Sequence, residues 1–237
     1  MNHYIYTMET TDKPTKKFYG LFQFIFDHYN ERLFNSEIKD CIIVITRKKH
    51  VAGHFAHNRW FHIEDNETDE LALNPEMFLK YPLLEICQTI VHEMCHAWQH
   101  HFGKPSRPGY HNKEWASKMI AVGLMPTANG RVGGKTTGFK IDDYAIEDGS
   151  FMAVSEELMN NEIFAGLYYE VNPSVLDKVD EGLPLFDQIR DMTLAVTTAG
   201  RVRKTKVKYS CSCSNVWGKP ELDIHCKLYD MTMAAVN

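Results

Sequence analysis

Two histidines four residues apart, His92 and His96, flank a glutamate in the run His92-Glu93-Met94-Cys95-His96. On a helix, residues i and i+4 share a face one turn apart, so both imidazoles can reach a single metal ion. Glu93 projects to the same side and can take a proton from a water at that metal. This is the chemistry of metal-assisted hydrolysis, with Glu93 as general base. A catalytic zinc takes three protein ligands and keeps one position open, so a third donor is required. His100 lies about 12 Å along the helix axis from His92, too far to share one ion at bonds of roughly 2 Å. An H-x-x-G-x-x-H extension fails as well, because Gln99 and Phe102 stand where Gly and His are needed. His111 is the better candidate, with Glu114 the alternative, giving two histidines and a carboxylate.

Those residues need a buried helix and a chain reversal. Tyr81–Phe102 opens with Pro82, suited to a first turn, and ends before Gly103 and Pro105. Its apolar residues cover most of the circumference and leave one polar stripe: Glu85, Gln88, Thr89, His92, Glu93, His96 and Gln99. Such a helix is buried, and the stripe must face a cleft or a metal. Gly103, Pro105, Pro108 and Gly109 then turn the chain, and a second helix begins at His111 or Asn112 and runs through Trp115, Met119 and Val122. Upstream, the pattern predicts an amphipathic helix over Thr15–Asn35 and short strands at Cys41–Thr46, Val51–Ala56, Trp60–Glu64 and Glu70–Leu73. Downstream, a strand is expected within Phe139–Ile146 and a helix over Val154–Glu170. Gly133-Gly134-Lys135-Thr136 is not a phosphate loop, since Asn129 occupies the position of its first glycine and no strand precedes it.

These motifs together resemble the SprT-like (Spartan-type) zinc metalloproteases, in which H-E-x-x-H is followed by a histidine at the start of the next helix. Phe24–Phe34 is similar to the family's first helix with its "N..LF" ending, Val51–Phe55 to its "AG.F" strand, and Glu70–Pro75 to its "I.LNP" strand. Gly123–Pro126 and Gly133–Gly138 are similar to the longer bacterial and mobile-element members. The likeness covers roughly residues 16–150 and resumes at the C-terminus. It implies an α+β fold of zincin-like helices with a small antiparallel or mixed sheet, plus a small C-terminal zinc-ribbon-like hairpin. It also implies one catalytic Zn2+ on His92, His96 and His111, with Glu93 as general base acting on a protein substrate. The expected organisation is a metalloprotease domain over 13–196 (core 16–130, family-specific extension 131–196), followed by a basic linker and ribbon-like tail over 197–237.

Composition agrees with a globular chain of one medium domain and an appendage: 237 residues, 44% hydrophobic and 24% charged. Met1–Lys17 is polar and mixed, unlike a secretory signal, and the longest aliphatic run, Cys41–Ile45, is only strand length. Six cysteines in a chain this long do not suggest a secreted disulfide framework. A cytoplasmic address with no membrane partner is the expectation.

The tail differs in charge. Residues 197–237 hold seven Lys+Arg against three Asp+Glu, a net of +4 in a chain whose total is −5. Arg201, Arg203, Lys204, Lys206 and Lys208 form the densest cluster, and Tyr209 and Trp217 follow as rings that could stack on bases. This suggests contact with DNA phosphates; a solvated linker is the plainer alternative. Cys211, Cys213 and Cys226 resemble the family's zinc ribbon, with His225 the candidate fourth ligand of a second, structural zinc. The pattern departs from that ribbon: the first pair is C-x-C rather than C-x-x-C, and Tyr229 holds the place of the fourth cysteine. Two rivals to the peptidase stand beside it. One is a DNA-binding protein whose metal is structural, closed by Glu114; the other is a zinc hydrolase acting on something other than peptides.

Overall fold

The computed structural model describes residues 13–49, 51–64, 67–128, 130, 132–159, 164, 167–171, 207–211, 215–218, 222–227 and 230–236. The chain divides into two compact units, Met1–Glu170 and Val171–Asn237. The sequence-based boundary at 196/197 lies outside the described residues. The fold is α+β, as expected, with four α-helices and several small sheets among the described residues. Among the described residues no helix is long and apolar enough to cross a membrane.

The first unit opens with α1 (Pro14–Phe34), which buries Leu21, Phe22, Ile25, Phe26, Tyr29 and Phe34 along one face. Fully burying a side chain of this size contributes roughly 1.5–3 kcal/mol. Asn35 ends the helix in the left-handed conformation (φ 54°). Asn30 then fastens the exit: its amide donates to the Ile38 carbonyl at 2.8 Å and its oxygen accepts from the Ile38 N–H at 3.2 Å. The asparagine of the "N..LF" signature thus has a structural task.

Strands β1 (Cys41–Ile45), β2 (Gly53–Phe61) and β3 (Glu67–Leu73) form a mixed sheet in the order β1-β3-β2, β1 parallel and β2 antiparallel to β3. The two strands expected at Val51–Ala56 and Trp60–Glu64 are one. The register shifts between Ala56 and Trp60, around Asn58 in a left-handed conformation (φ 48°), so the polar interruption is a bulge and not a turn. Asn74 closes β3: it donates to the carbonyls of Lys48 (3.1 Å) and Val51 (2.9 Å) and accepts from Glu76 N–H, capping a short 3-10 turn at Pro75–Met77.

Helix α2 (Leu83–Phe102) follows, with Pro82 at its N-cap, one position earlier than a first-turn residue. It buries Ile86, Cys87, Ile90, Val91, Met94, Cys95 and Ala97. The chain returns through β4 (Tyr110–His111) into α3 (Lys113–Ala121), whose N-cap is Asn112. Strand β5 (Leu124–Thr127), which the sequence reading did not expect ahead of Gly133-Gly134-Lys135-Thr136, pairs antiparallel with β7 (Asp142–Ala145), and the intervening β6 (Gly138–Phe139) pairs with β4. Helix α4 (Ser150–Met159) starts four residues before the expected helix, and 167–170, expected at its end, are not helical. It packs on α1, where Phe151 stacks on Tyr29 (5.7 Å) and Ser155 Oγ lies 2.7 Å from the Tyr29 hydroxyl.

In the second unit β8 (Val207–Ser210) lies between β9 (Asn215–Gly218) and β12 (Ala234–Val236), both antiparallel to it, and β10 (His225–Cys226) pairs with β11 (Met231–Thr232). Tyr209, Cys226 and Met233 form its small core, with Cys211 and Ile224 packed against it.

Candidate metal centre

The polar stripe on α2 is where the helix makes its tertiary polar contacts. Gln88 donates to the Asp143 carbonyl at 3.0 Å, drawing β7 over the helix. Further on, Gln99 donates to Asn112 Oδ1 at 2.8 Å and to Glu114 Oε2 at 2.7 Å, drawing α3 in. Asn112 also caps α3 by accepting from Trp115 N–H at 3.0 Å, which fixes the residue that follows His111. Glu114, the alternative ligand, is engaged elsewhere: it accepts from Gln99 and from Lys104 N–H at 2.6 Å, tying the end of α2 to the turn after it.

His92, His96 and His111 converge, each offering one ring nitrogen, all within 4.8 Å of one another. The Nε2 atoms of His96 and His111 are 3.2 Å apart. Tetrahedral Zn–N bonds of about 2.05 Å place nitrogens roughly 3.3 Å apart, so that pair already has ligand spacing. The far sides of two rings are tied down. His92 Nδ1 donates to Asp143 Oδ2 at 2.7 Å, and His111 Nδ1 donates to the Gly138 carbonyl at 3.2 Å. In both rings Nδ1 keeps its proton, so Nε2 is the nitrogen available to a metal, the arrangement metal-ligating histidines adopt. The donor set therefore fits a zinc-class ion.

Trp115 forms the floor under the three imidazoles and is fully buried. It stacks on His96 (centroids 5.0 Å, 21°) and meets His92 and His111 edge-on at 4.9 and 4.3 Å. The three rings differ in electrostatics. Burial pushes His92 down, but the Asp143 hydrogen bond and charge, helped by Glu93, carry it up to about 9. Burial and the neighbouring His92 push His96 well below the ordinary range and His111 down to about 4. Glu93 is buried too. Desolvation raises its carboxyl, against the opposing pull of the His92 charge and a backbone hydrogen bond from Phe55 on β2.

Strand β2 comes this close because residue 53 has no side chain. A Cβ at Gly53 would lie 2.9 Å from the Ala72 carbonyl, 2.9 Å from Thr89 Cγ2 and 3.3 Å from Glu93 Cγ. The glycine in the "AG.F" segment is thus where the sheet meets the turn of α2 that carries Glu93.

A family model described as "SprT-like family" matches residues 22–138. The chain is also 33% identical over 69 residues to "Uncharacterized protein in mucB 3'region" of Salmonella typhimurium, an alignment spanning 29% of this chain and 93% of that protein. The chain belongs to the SprT-like family. No solved structure matches it. The SprT-like segment contains every residue of the histidine cluster and ends at Gly138, the carbonyl that holds His111.

Three contributors to the SprT-like centre were not named from sequence. Asp143 is 51 residues from its partner His92 and stands beside a second aspartate. Trp115 reads from sequence as an ordinary core residue of α3, and Gly138 acts through its backbone. A hint of Asp143 existed in the tendency of ligating imidazoles to donate their other N–H to a carboxylate, a carbonyl or water, but nothing local selects which one. Tyr110, beside His111, packs edge-on against Phe139 at 5.2 Å, and the Arg107 guanidinium lies over both rings.

The tail candidates are placed only in part. Arg201, Arg203, Lys204, Lys206 and Cys213 lie outside the described residues. Lys208 and Trp217 are register partners across β8 and β9. Cys226 is buried and Cys211 packs against the same small core. His225 is exposed, its Nε2 2.9 Å from Asp230 Oδ1.

Proposed function

We propose that this protein is a zinc-dependent metallopeptidase that hydrolyses peptide bonds in protein substrates. The observation that carries the reading is the convergence of three imidazole nitrogens, two with their far nitrogen pinned, beside a buried glutamate. His92, His96 and His111 would hold the zinc, which when bound supplies Lewis acidity for a peptide carbonyl and for a water. Glu93 takes the proton of the attacking water and returns it to the leaving amine. Its raised carboxyl suits it to hold that proton between the two steps. Glu114's engagement with Gln99 and Lys104 supports an open fourth position over a closed structural site.

β2 is the outer strand of its sheet and carries Gly53 and Phe55 beside Glu93. An extended substrate segment can pair with such an edge and lie across the base. The basic cluster from Arg201 to Lys208, with Trp217, supports DNA-associated proteins as the substrate class, with the second unit contacting DNA; Cys211, Cys213, Cys226 and His225 are the candidate ligands of a second, structural zinc. Buried thiols at Cys87 and Cys95 suit a reducing, cytoplasmic compartment.

The test is cleavage of a protein substrate by the wild type and by Glu93→Gln, each with and without single-stranded DNA. The variant keeps its zinc and loses cleavage. Full cleavage by Glu93→Gln would remove the assigned base, and cleavage insensitive to chelation would remove the metal.

A further inference from the structure

Four more histidines gather around the last turn of α2, one turn beyond His96. His100 and His101 close the helix, and His54 and His57 lie on β2. Two of them share one buried carboxylate. Asp69 on β3 is only 5% exposed, and each of its oxygens meets an imidazole: His57 Nδ1 is 2.9 Å from Oδ1, and His101 Nε2 is 2.7 Å from Oδ2. The three donor atoms lie within 4.8 Å of one another.

The bulge in β2 builds this arrangement. The register shift after Ala56 turns His57 towards Asp69, and the Asn58 N–H donates to the same Oδ1 at 2.7 Å. The carboxylate is thus oriented by backbone and held ionised. Burial raises its carboxyl, but the Asn58 amide and the two histidines together bring it below the ordinary carboxylate range. His101 is nearly enclosed, with its side chain 6% exposed, and its other nitrogen, Nδ1, is buried with no hydrogen-bond partner. Nothing behind the ring fixes its tautomer. The proton can sit on Nδ1 and leave the Nε2 lone pair facing Asp69, a state that a cation between them would favour.

We propose that His57, Asp69 and His101 form a second divalent-metal site, of the two-histidine, one-carboxylate kind that takes zinc, cobalt or nickel. Two imidazoles and a carboxylate are the donors such borderline ions prefer. Open solvent on the His57 side, where the side chain is 39% exposed, leaves room for water to complete the coordination. The ion would fasten the β2–β3 pair to the last turn of α2. It would thereby brace the two elements that carry Gly53 and Glu93 against each other. The inference does not depend on the peptidase reading, since it uses none of the same ligands.

Equilibrium dialysis of the full chain against zinc chloride, followed by elemental analysis, tests it. His57→Ala and Asp69→Asn each bind one zinc fewer per chain than wild type, while His96→Ala loses a different one, so that His57→Ala/His96→Ala loses two. Should Asp69→Asn fail to fold by circular dichroism, His57→Ala decides alone, because its half-exposed side chain can be removed without opening the core. A second readout is thermal. Zinc raises the melting temperature of His96→Ala and does so less for His57→Ala/His96→Ala. Zinc stoichiometry in His57→Ala equal to wild type, or zinc shifts identical in the two His96 backgrounds, would overturn the site and leave Asp69 as a hydrogen-bond anchor only.

Discussion

His92 and Asp143, 51 residues apart in the chain, are joined by a 2.7 Å hydrogen bond from Nδ1 to Oδ2 that sets which face of the imidazole is presented to the cluster. The pairing of β5 with β7 and the Gln88 contact bring Asp143 to that position. Asp143→Asn removes the charge but keeps the size. Losses on removing such partners run to about 10–100-fold in metal affinity. We expect a loss in that range, read by competition with a chromophoric chelator. Unchanged affinity would show that the ring needs no such support.

Metal uptake should release one proton at neutral pH. His111, held near 4, and His96, well below its ordinary range, are already neutral at pH 7, whereas His92, at about 9, is protonated. Zinc affinity therefore rises about tenfold per pH unit from pH 7 and levels off above about pH 9. Calorimetry in buffers of differing ionisation enthalpy counts the proton, and a count of zero would contradict the assignment. In the metal-free protein the sign is opposite. His92 has its folded value above the ordinary 6.5, so its pairing stabilises fully below about pH 6.5 and is lost as pH rises through about 9.

Gly53→Ala should be costly for a reason other than backbone freedom. Its Cβ would lie 2.9 Å from both the Ala72 carbonyl and Thr89 Cγ2, so β2 or α2 must move. Overpacking of this kind costs about 1–3 kcal/mol. Urea denaturation should report a loss in that range, with cleavage falling further than stability because Glu93 is the third neighbour. A variant as stable and as active as wild type would mean the strand has slack that the contacts do not suggest.

Glu114→Ala separates the two proposed third ligands. Glu114 accepts from Gln99 and Lys104 and lies outside the histidine cluster. The variant is expected to retain zinc at the catalytic site, while His111→Ala releases it. Retention by His111→Ala together with release by Glu114→Ala would transfer the ligand role to the carboxylate.

Trp115→Ala removes the surface on which all three imidazoles rest. Deleting a fully buried tryptophan side chain costs about 3–5 kcal/mol. Chemical denaturation of the metal-free form should show that loss. Zinc should recover part of it, because binding re-imposes the ring positions. A small change would indicate that the rings are held by their hydrogen bonds alone.

How much of this was legible in the sequence follows the range of the interactions. His92, Glu93 and His96 are set by one turn of one helix, and the apolar cover around them marks that helix as buried. His111 could be reached because Gly103, Pro105, Pro108 and Gly109 announce a reversal just long enough to bring it back. Asp143, and the pairing of His57 with His101 through Asp69, could not: each depends on sheet pairing between distant segments, and residue type alone does not say which acid meets which imidazole. The bulge at Asn58 was missed because a polar break between two apolar stretches reads the same whether the strand bends or stops.

The two-residue bridge between Tyr110–His111 and Gly138–Phe139 carries a practical meaning for anyone trimming this chain. A fragment cut back to residue 130 would keep all three clustered imidazoles yet discard both groups standing behind them, the Gly138 carbonyl and the Asp143 carboxylate. Such a piece would still display the full signature in print while its rings turned loosely. The shortest competent version must run at least through Ala145.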